Sequence, residues 1–163
     1  MTNVVNFKKF VVNLGMENKE DNLLKEPVAA YATTGDLTTG NKTVLMRVIR
    51  GGIEFEKFQS MTSLYPFSMV EWSSFLHLSE RTLQRYKKED KNFDALQSEK
   101  ILQILLLYQR GVEVFGDKEN FDVWLSLENI ALGNIRPKEL LDNAFGISLL
   151  EEELTRIEHG ILA

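Results

Sequence analysis

Across most of the chain, apolar residues recur every three to four positions, the spacing of helices buried along one face, and no segment alternates as a strand would. The first forty residues sustain no period and close on Thr33-Thr34-Gly35-Asp36-Leu37-Thr38-Thr39-Gly40, a cluster of turn formers. Residues 1–40 therefore read as a flexible N-terminal arm with a short helix near Phe7. From Asn41 the pattern changes: Val44, Leu45, Val48 and Ile49 lie on one helical face, and Gly51-Gly52 supplies a stop. Further helices are expected from about Glu54 to Leu64, Ser68 to Leu76 and Glu80 to Lys88.

A longer helix, from about Phe93 to Val114, is apolar almost all round in its middle, so it must be covered on more than one side. Ile104, Leu105 and Tyr108 on it are the expected contact of a homodimer. Three short helices follow. One runs from Lys118 to Leu125 behind Asp117 as N-cap; one from Pro137 to Phe145 has Gly146 as its stop; one from Leu149 to Glu158 has Ser148 and Glu151 as a capping box and Gly160 at its end. The expected fold is all-α, with a helix-turn-helix domain over residues 41–91 and a small helical domain over residues 92–163.

Composition narrows the function. The 163 residues are 44% hydrophobic, enough for a real core, and contain no cysteine. Disulfide frameworks, zinc ribbons and thiolate catalysis are thereby excluded, and the absence suits a reducing cytoplasm. The longest apolar run, Ile104 to Tyr108, falls far short of the ~20 residues of a membrane span. Phe7, Phe10, Val11 and Val12 are followed by charged residues without a small-residue cleavage site, so no signal peptide is read. The net charge of −5 is unevenly spread. Residues 1–91 hold 13 Lys/Arg against 11 Asp/Glu, whereas residues 92–163 hold 6 against 13, a net of −7. A nucleic-acid face, if present, belongs to the first part.

The stretch from Ser68 to Tyr86 has the spacing of a helix-turn-helix. Trp72, Leu76, Leu78, Leu83 and Tyr86 are its apolar positions, and small Ser73 stands where the two helices would meet. The remaining side of the second helix carries Ser79, Arg81, Thr82, Gln84, Arg85, Lys87 and Lys88. Ser79 can cap the helix start, and Arg and Gln are suited to base edges. The turn position before Leu78, commonly Gly, is His77, one of the residues that tolerates positive φ. No glycine-rich phosphate loop, metal-ligand spacing or Ser-His pair is present, and His77 is far from the other histidine, His159. No catalytic residue, metal or cofactor is expected.

The series Leu78-Ser79-Glu80-Arg81-Thr82-Leu83-Gln84-Arg85, with Arg50-Gly51-Gly52-Ile53 upstream, resembles the N-terminal domain of the Xre/MbcA/ParS-type antitoxins. Val114-Phe115-Gly116, Trp124-Leu125, Asn129-Ile130-Ala131-Leu132-Gly133, Arg136-Pro137, Leu140-Leu141, Gly146 and Arg156-Ile157-Glu158-His159-Gly160 are similar to that family's toxin-binding domain, in the same order. The resemblance covers residues 42–163. It implies a two-gene system in which the protein binds a RES-domain toxin, an enzyme of the cell's NAD pool, blocks its active site, and represses its own promoter at operator DNA. Two departures stand out. Glu128 occupies a position where the family often has Pro, which leaves the loop less rigid, and Tyr86 stands where Arg is common, which removes a positive charge from the second helix.

Within the second half, Trp124 and Leu125 read as core anchors, and Gly133 and Gly146 as positions set by backbone geometry. Arg136 sits beside a helix start, where the dipole disfavours a cation, so it calls for a carboxylate partner in the chain or on the toxin. Asn129, Leu132, Arg136, Arg156, Glu158, His159, Ile161 and Leu162 are the expected toxin-binding residues, with Ile161-Leu162-Ala163 an apolar tail suited to a cleft. The alternative function is a stand-alone transcription regulator whose second domain dimerises or senses a ligand.

Overall fold

The computed structural model describes residues 39–160; the expected helix near Phe7 and the tail Ile161-Leu162-Ala163 lie outside the described residues. Among the described residues seven α-helices and two 3-10 segments follow one another: α1 Thr39–Gly51, α2 Phe55–Thr62, α3 Met69–Phe75, α4 Glu80–Glu89, α5 Ala95–Phe115, α6 Lys118–Ser126, η1 Ile130–Leu132, η2 Pro137–Asp142 and α7 Ala144–Glu158. The only extended pairing among the described residues is an isolated bridge between Asn129 and Ile135. The fold is all-α, as the periodicity predicts. α1 starts at Thr39, two residues inside the stretch read as arm.

Local chemistry sets the helix ends. Ser68 and Glu71 form a capping box at α3, with Ser68 Oγ accepting from Glu71 N–H at 3.2 Å and the Glu71 carboxylate accepting from Ser68 N–H at 2.8 Å. Asp94 and Gln97 do the same for α5. Asp117 caps α6 by accepting from Asn120 N–H at 2.7 Å.

α5 is the strut of the molecule. α1 packs on it from one side of the sequence, α6 and α7 from the other. Ile101, Ile104, Leu105 and Leu107 are buried on it, and one continuous core runs from Leu45 in α1 to Leu154 in α7. The Ser98 hydroxyl, buried on α5, accepts from Ile53 N–H at 3.0 Å and so pins the α1–α2 connection to the strut. Phe55, Phe58, Trp72 and Phe93 fill the space between α2, α3 and α5 with ring-to-ring contacts, of which the tightest is Phe58 on Phe93 at 4.9 Å between centroids. The expected dimer contact is overturned here. Ile104 and Leu105 are buried in the chain's own core, and Tyr108 is covered by Tyr65, Phe67 and Phe121 while its hydroxyl donates to Asp122. The all-round apolar character of this helix is satisfied from within the chain.

The end of the chain is divided differently from expectation. Pro137 opens a 3-10 segment that stops at Asp142, and the last α-helix starts at Ala144 rather than Leu149. Its cap is Asn143, whose side chain accepts from Gly146 N–H at 2.8 Å. Gly146 is therefore no stop but a first-turn residue. A Cβ there would lie 2.0 Å from the Leu140 carbonyl oxygen, so the glycine is what lets η2 lie against α7. Ser148 and Glu151 stand inside the helix, and Glu151-Glu152-Glu153 is mid-helix rather than in a first turn; Glu153 is buried and meets Arg156 at 3.3 Å.

Candidate DNA and partner interfaces

α3 and α4 are joined by a turn in which His77 has φ 52°, the left-handed geometry expected at that position. Leu78 N–H donates to the Ser73 carbonyl at 2.9 Å, and Ser73 is buried, so the small residue does sit where the helices meet. Ser79 caps α4: its hydroxyl accepts from Thr82 N–H at 3.1 Å and lies 2.8 Å from the Thr82 hydroxyl. Thr82 is half-buried, and both hydroxyls serve the cap.

α4 buries Leu83 and Tyr86 and exposes Arg81, Gln84, Arg85, Lys87 and Lys88. None of these four cations has an ion-pair partner among the described residues. They form a face of unneutralised donors on a capped helix, the form a groove-reading helix takes. Tyr86 is not part of that face. Its ring packs on Phe93 at 5.4 Å, and Lys91 Nζ lies 4.9 Å above it, so the departure at this position removes no charge from the exposed side.

In the second half, the loop after α6 is firmly held despite Glu128. Asn129 N–H donates to the Ile135 carbonyl at 3.2 Å, and the Asn129 side chain accepts from Ala131 N–H at 2.8 Å. The expected partner-binding residues fall on the loop after α6 and at the end of α7. Leu132 is buried in the core, so it shapes the loop from beneath and cannot be touched from outside. Exposed Arg136 meets Glu139 at 3.9 Å, which answers the need for a carboxylate within the chain. Arg156 pairs with Glu153. Glu158 lies 3.4 Å from Arg110 of α5, whose guanidinium also donates to Thr155 Oγ1 at 2.7 Å. His159 is exposed at the end of α7. Ile161 and Leu162 lie outside the described residues. Trp124 is half-buried, packed on Phe115 and Phe121, and Leu125 is buried.

Sequence reasoning missed two features. The first is an exposed apolar set on the second half: Val123, Leu127, Ile130, Ile135 and Phe145. The signal was present in the i, i+4 pair Val123 and Leu127, which falls opposite the buried pair Phe121 and Leu125. The second is that η2 grips the helix-turn-helix. Lys138 Nζ lies 3.2 Å from Glu71 of the α3 capping box, and His77 Nε2 lies 2.8 Å from the Asp142 carbonyl. Burial pushes the Glu71 carboxyl up, but hydrogen bonds from the Ser68 backbone, the Ser68 hydroxyl and Lys138, with the Lys138 charge, together hold it below the ordinary carboxylate range.

No helix among the described residues is long and apolar enough to cross a membrane. Two family models match the chain. The one described as the antitoxin Xre-like helix-turn-helix domain spans residues 44–105, and the one described as the antitoxin Xre/MbcA/ParS C-terminal toxin-binding domain spans residues 110–160. A protein of Yersinia enterocolitica serotype O:8 named "Antitoxin Xre" is 26% identical over 128 residues, covering 78% of this chain and 86% of that protein.

Proposed function

Because the chain belongs to the Xre/MbcA/ParS antitoxins, we propose that it neutralises a RES-domain toxin acting on the cell's NAD pool by covering the toxin's active site, and that it represses its own operon through α4. It acts by binding and not by catalysis. The observation that carries this reading is the pairing, in one chain, of a capped helix with four exposed cations that meet no carboxylate among the described residues, and an acidic second half that matches a toxin-binding domain. The two surfaces suit different partners: phosphate-rich operator DNA for the first, a protein for the second.

Ser79, Arg81, Thr82, Gln84, Arg85, Lys87 and Lys88 serve the operator in this reading. Asn129, Arg136, Arg156, Glu158, His159, Ile161 and Leu162 serve the toxin, with Leu132 holding their loop from below. The active form on DNA is a homodimer, one α4 per half-site, formed through surface outside the buried middle of α5. The deciding experiment is co-expression with a RES-domain toxin. Stable co-purification, restored growth and loss of NAD hydrolysis in the complex are expected. A toxin that stays active, with no complex on a sizing column, would leave a DNA-binding regulator alone.

A further inference from the structure

Helix α6 is short and amphipathic in an unusual sense, because both of its faces carry apolar residues. Phe121 and Leu125 point into the core and are buried, while Val123 on the other side and Leu127, the extended residue that closes the helix, are 58% and 60% exposed. A helix face left to solvent normally carries charge. The apolar run continues past the helix end. Ile130 is 86% exposed, and the bridge between Asn129 and Ile135 brings Ile135, 40% exposed, beside it. The bridge and the Asn129 side-chain hydrogen bond hold this loop in place, so Ile130 and Ile135 stand on a pre-formed support, as Val123 does on the helix before it.

From this arrangement we infer that Val123, Leu127, Ile130 and Ile135 are the anchor by which the toxin docks, and that the docking surface of the toxin is apolar with a basic rim. The inference rests on the toxin-binding reading given above. Charge decides between occupants. Glu119 lies one turn before Val123 on the same face and Glu128 directly follows Leu127; both are exposed, and neither has an ion-pair partner among the described residues. A second copy of this chain docking through the same surface would bring together two halves that each carry a net of −7 over residues 92–163. A nucleic acid is disfavoured for the same reason. A protein with cationic side chains around an apolar cleft meets both features. Asn129 and Arg136, both among the expected toxin-binding residues, flank Ile130 and Ile135 in the sequence of this loop.

The test uses the full chain and the RES-domain toxin that it neutralises in co-expression, with affinity read by calorimetry or surface plasmon resonance. Leu127→Ser and Ile130→Ser should each weaken the complex about tenfold and the Val123→Ser/Leu127→Ser/Ile130→Ser triple variant at least about a hundredfold, while unfolding temperature and operator binding stay as in the wild type. Glu119→Lys with Glu128→Lys should slow association and reverse its salt dependence. A folded triple variant that binds the toxin as tightly as the wild type overturns the docking surface alone. No complex with the wild-type chain overturns the toxin-binding reading and the surface with it. A wild-type dimer that becomes monomeric in the triple variant, seen by light scattering, assigns the surface to a second copy and overturns the inference as well.

Discussion

Two glycines show how little room single residues have in this molecule. Gly111 lies in the interior of α5, where alanine would ordinarily be favoured by ~1 kcal/mol. A Cβ there would stand 2.1 Å from the ring of Phe121, and that ring is held between Tyr108, Phe115 and Trp124 and cannot retreat. Gly111→Ala is therefore expected to destabilise by ~1–3 kcal/mol against the trend of helix propensity, and Gly146→Ala by ~3 kcal/mol because it meets backbone rather than a side chain. Urea midpoints of the two variants decide this; an unchanged or raised midpoint for Gly111→Ala would show that the ring adapts. Gly146 was legible as a residue fixed by backbone geometry but not as a contact with Leu140, since its spacing after Phe145 is also that of a helix stop. The turn geometry of His77 was legible, because few other residues tolerate the φ that the flanking pattern demands, but its contact with the Asp142 carbonyl was not. Leu132 was not, since an apolar residue in a loop reads equally well as a contact or as an anchor.

At the level of elements, α4 carries the clearest expectation. Arg81→Ala and Arg85→Ala should each weaken operator binding by ~1–3 kcal/mol and flatten its salt dependence, while leaving the toxin complex intact. Filter binding across a salt series measures this, and an unchanged slope in the double variant would remove the helix from the groove. The contact between η2 and α3 gives a second, pH-dependent expectation. The Glu71 carboxyl is held below its ordinary range, so its contribution to stability is present in full above the unfolded-state pKa and is lost as pH falls through the folded-state value. Glu71→Gln keeps an acceptor for the Ser68 N–H but loses the attraction to Lys138. It should cost ~0.5–1 kcal/mol at pH 7 and progressively less as pH falls through the folded-state value. An equal loss at every pH would show that only the cap matters. The helices up to α6 were legible because each has a strong start or stop in its own sequence. The η2–α7 boundary was not: Pro137 and Ser148 are both good local starts, and the choice of Asn143 as the cap depends on packing that no local pattern contains.

One core runs through the described residues, and the two tryptophans report on different parts of it: Trp72 of α3 against Phe58 of α2, Trp124 of α6 against Phe115 of α5. With Trp72→Phe and Trp124→Phe each leaving a single reporter, fluorescence should give one coincident unfolding midpoint. Two separated midpoints would mean that the halves fold independently. The sequence conveyed that α5 must be covered on several sides, but not by what, because periodicity states how much of a helix is buried and never names the neighbour. That is why its middle was read as a surface for a second copy. The same helix restricts how such proteins can diversify by exchange of parts. The two family models meet within α5, between residues 105 and 110, rather than in a loop. Recombination that brings a new partner-binding half to an old DNA-reading half must then splice one helix to another in register, since a slip of a single residue turns everything downstream by about 100°. Arg110 would swing from Glu158 toward the space of its buried neighbours, and the core would be lost. New pairings of operator and partner should thus descend from crossovers that preserve the phase of one helix, a narrower gate than the linker-joined modules of most two-part proteins.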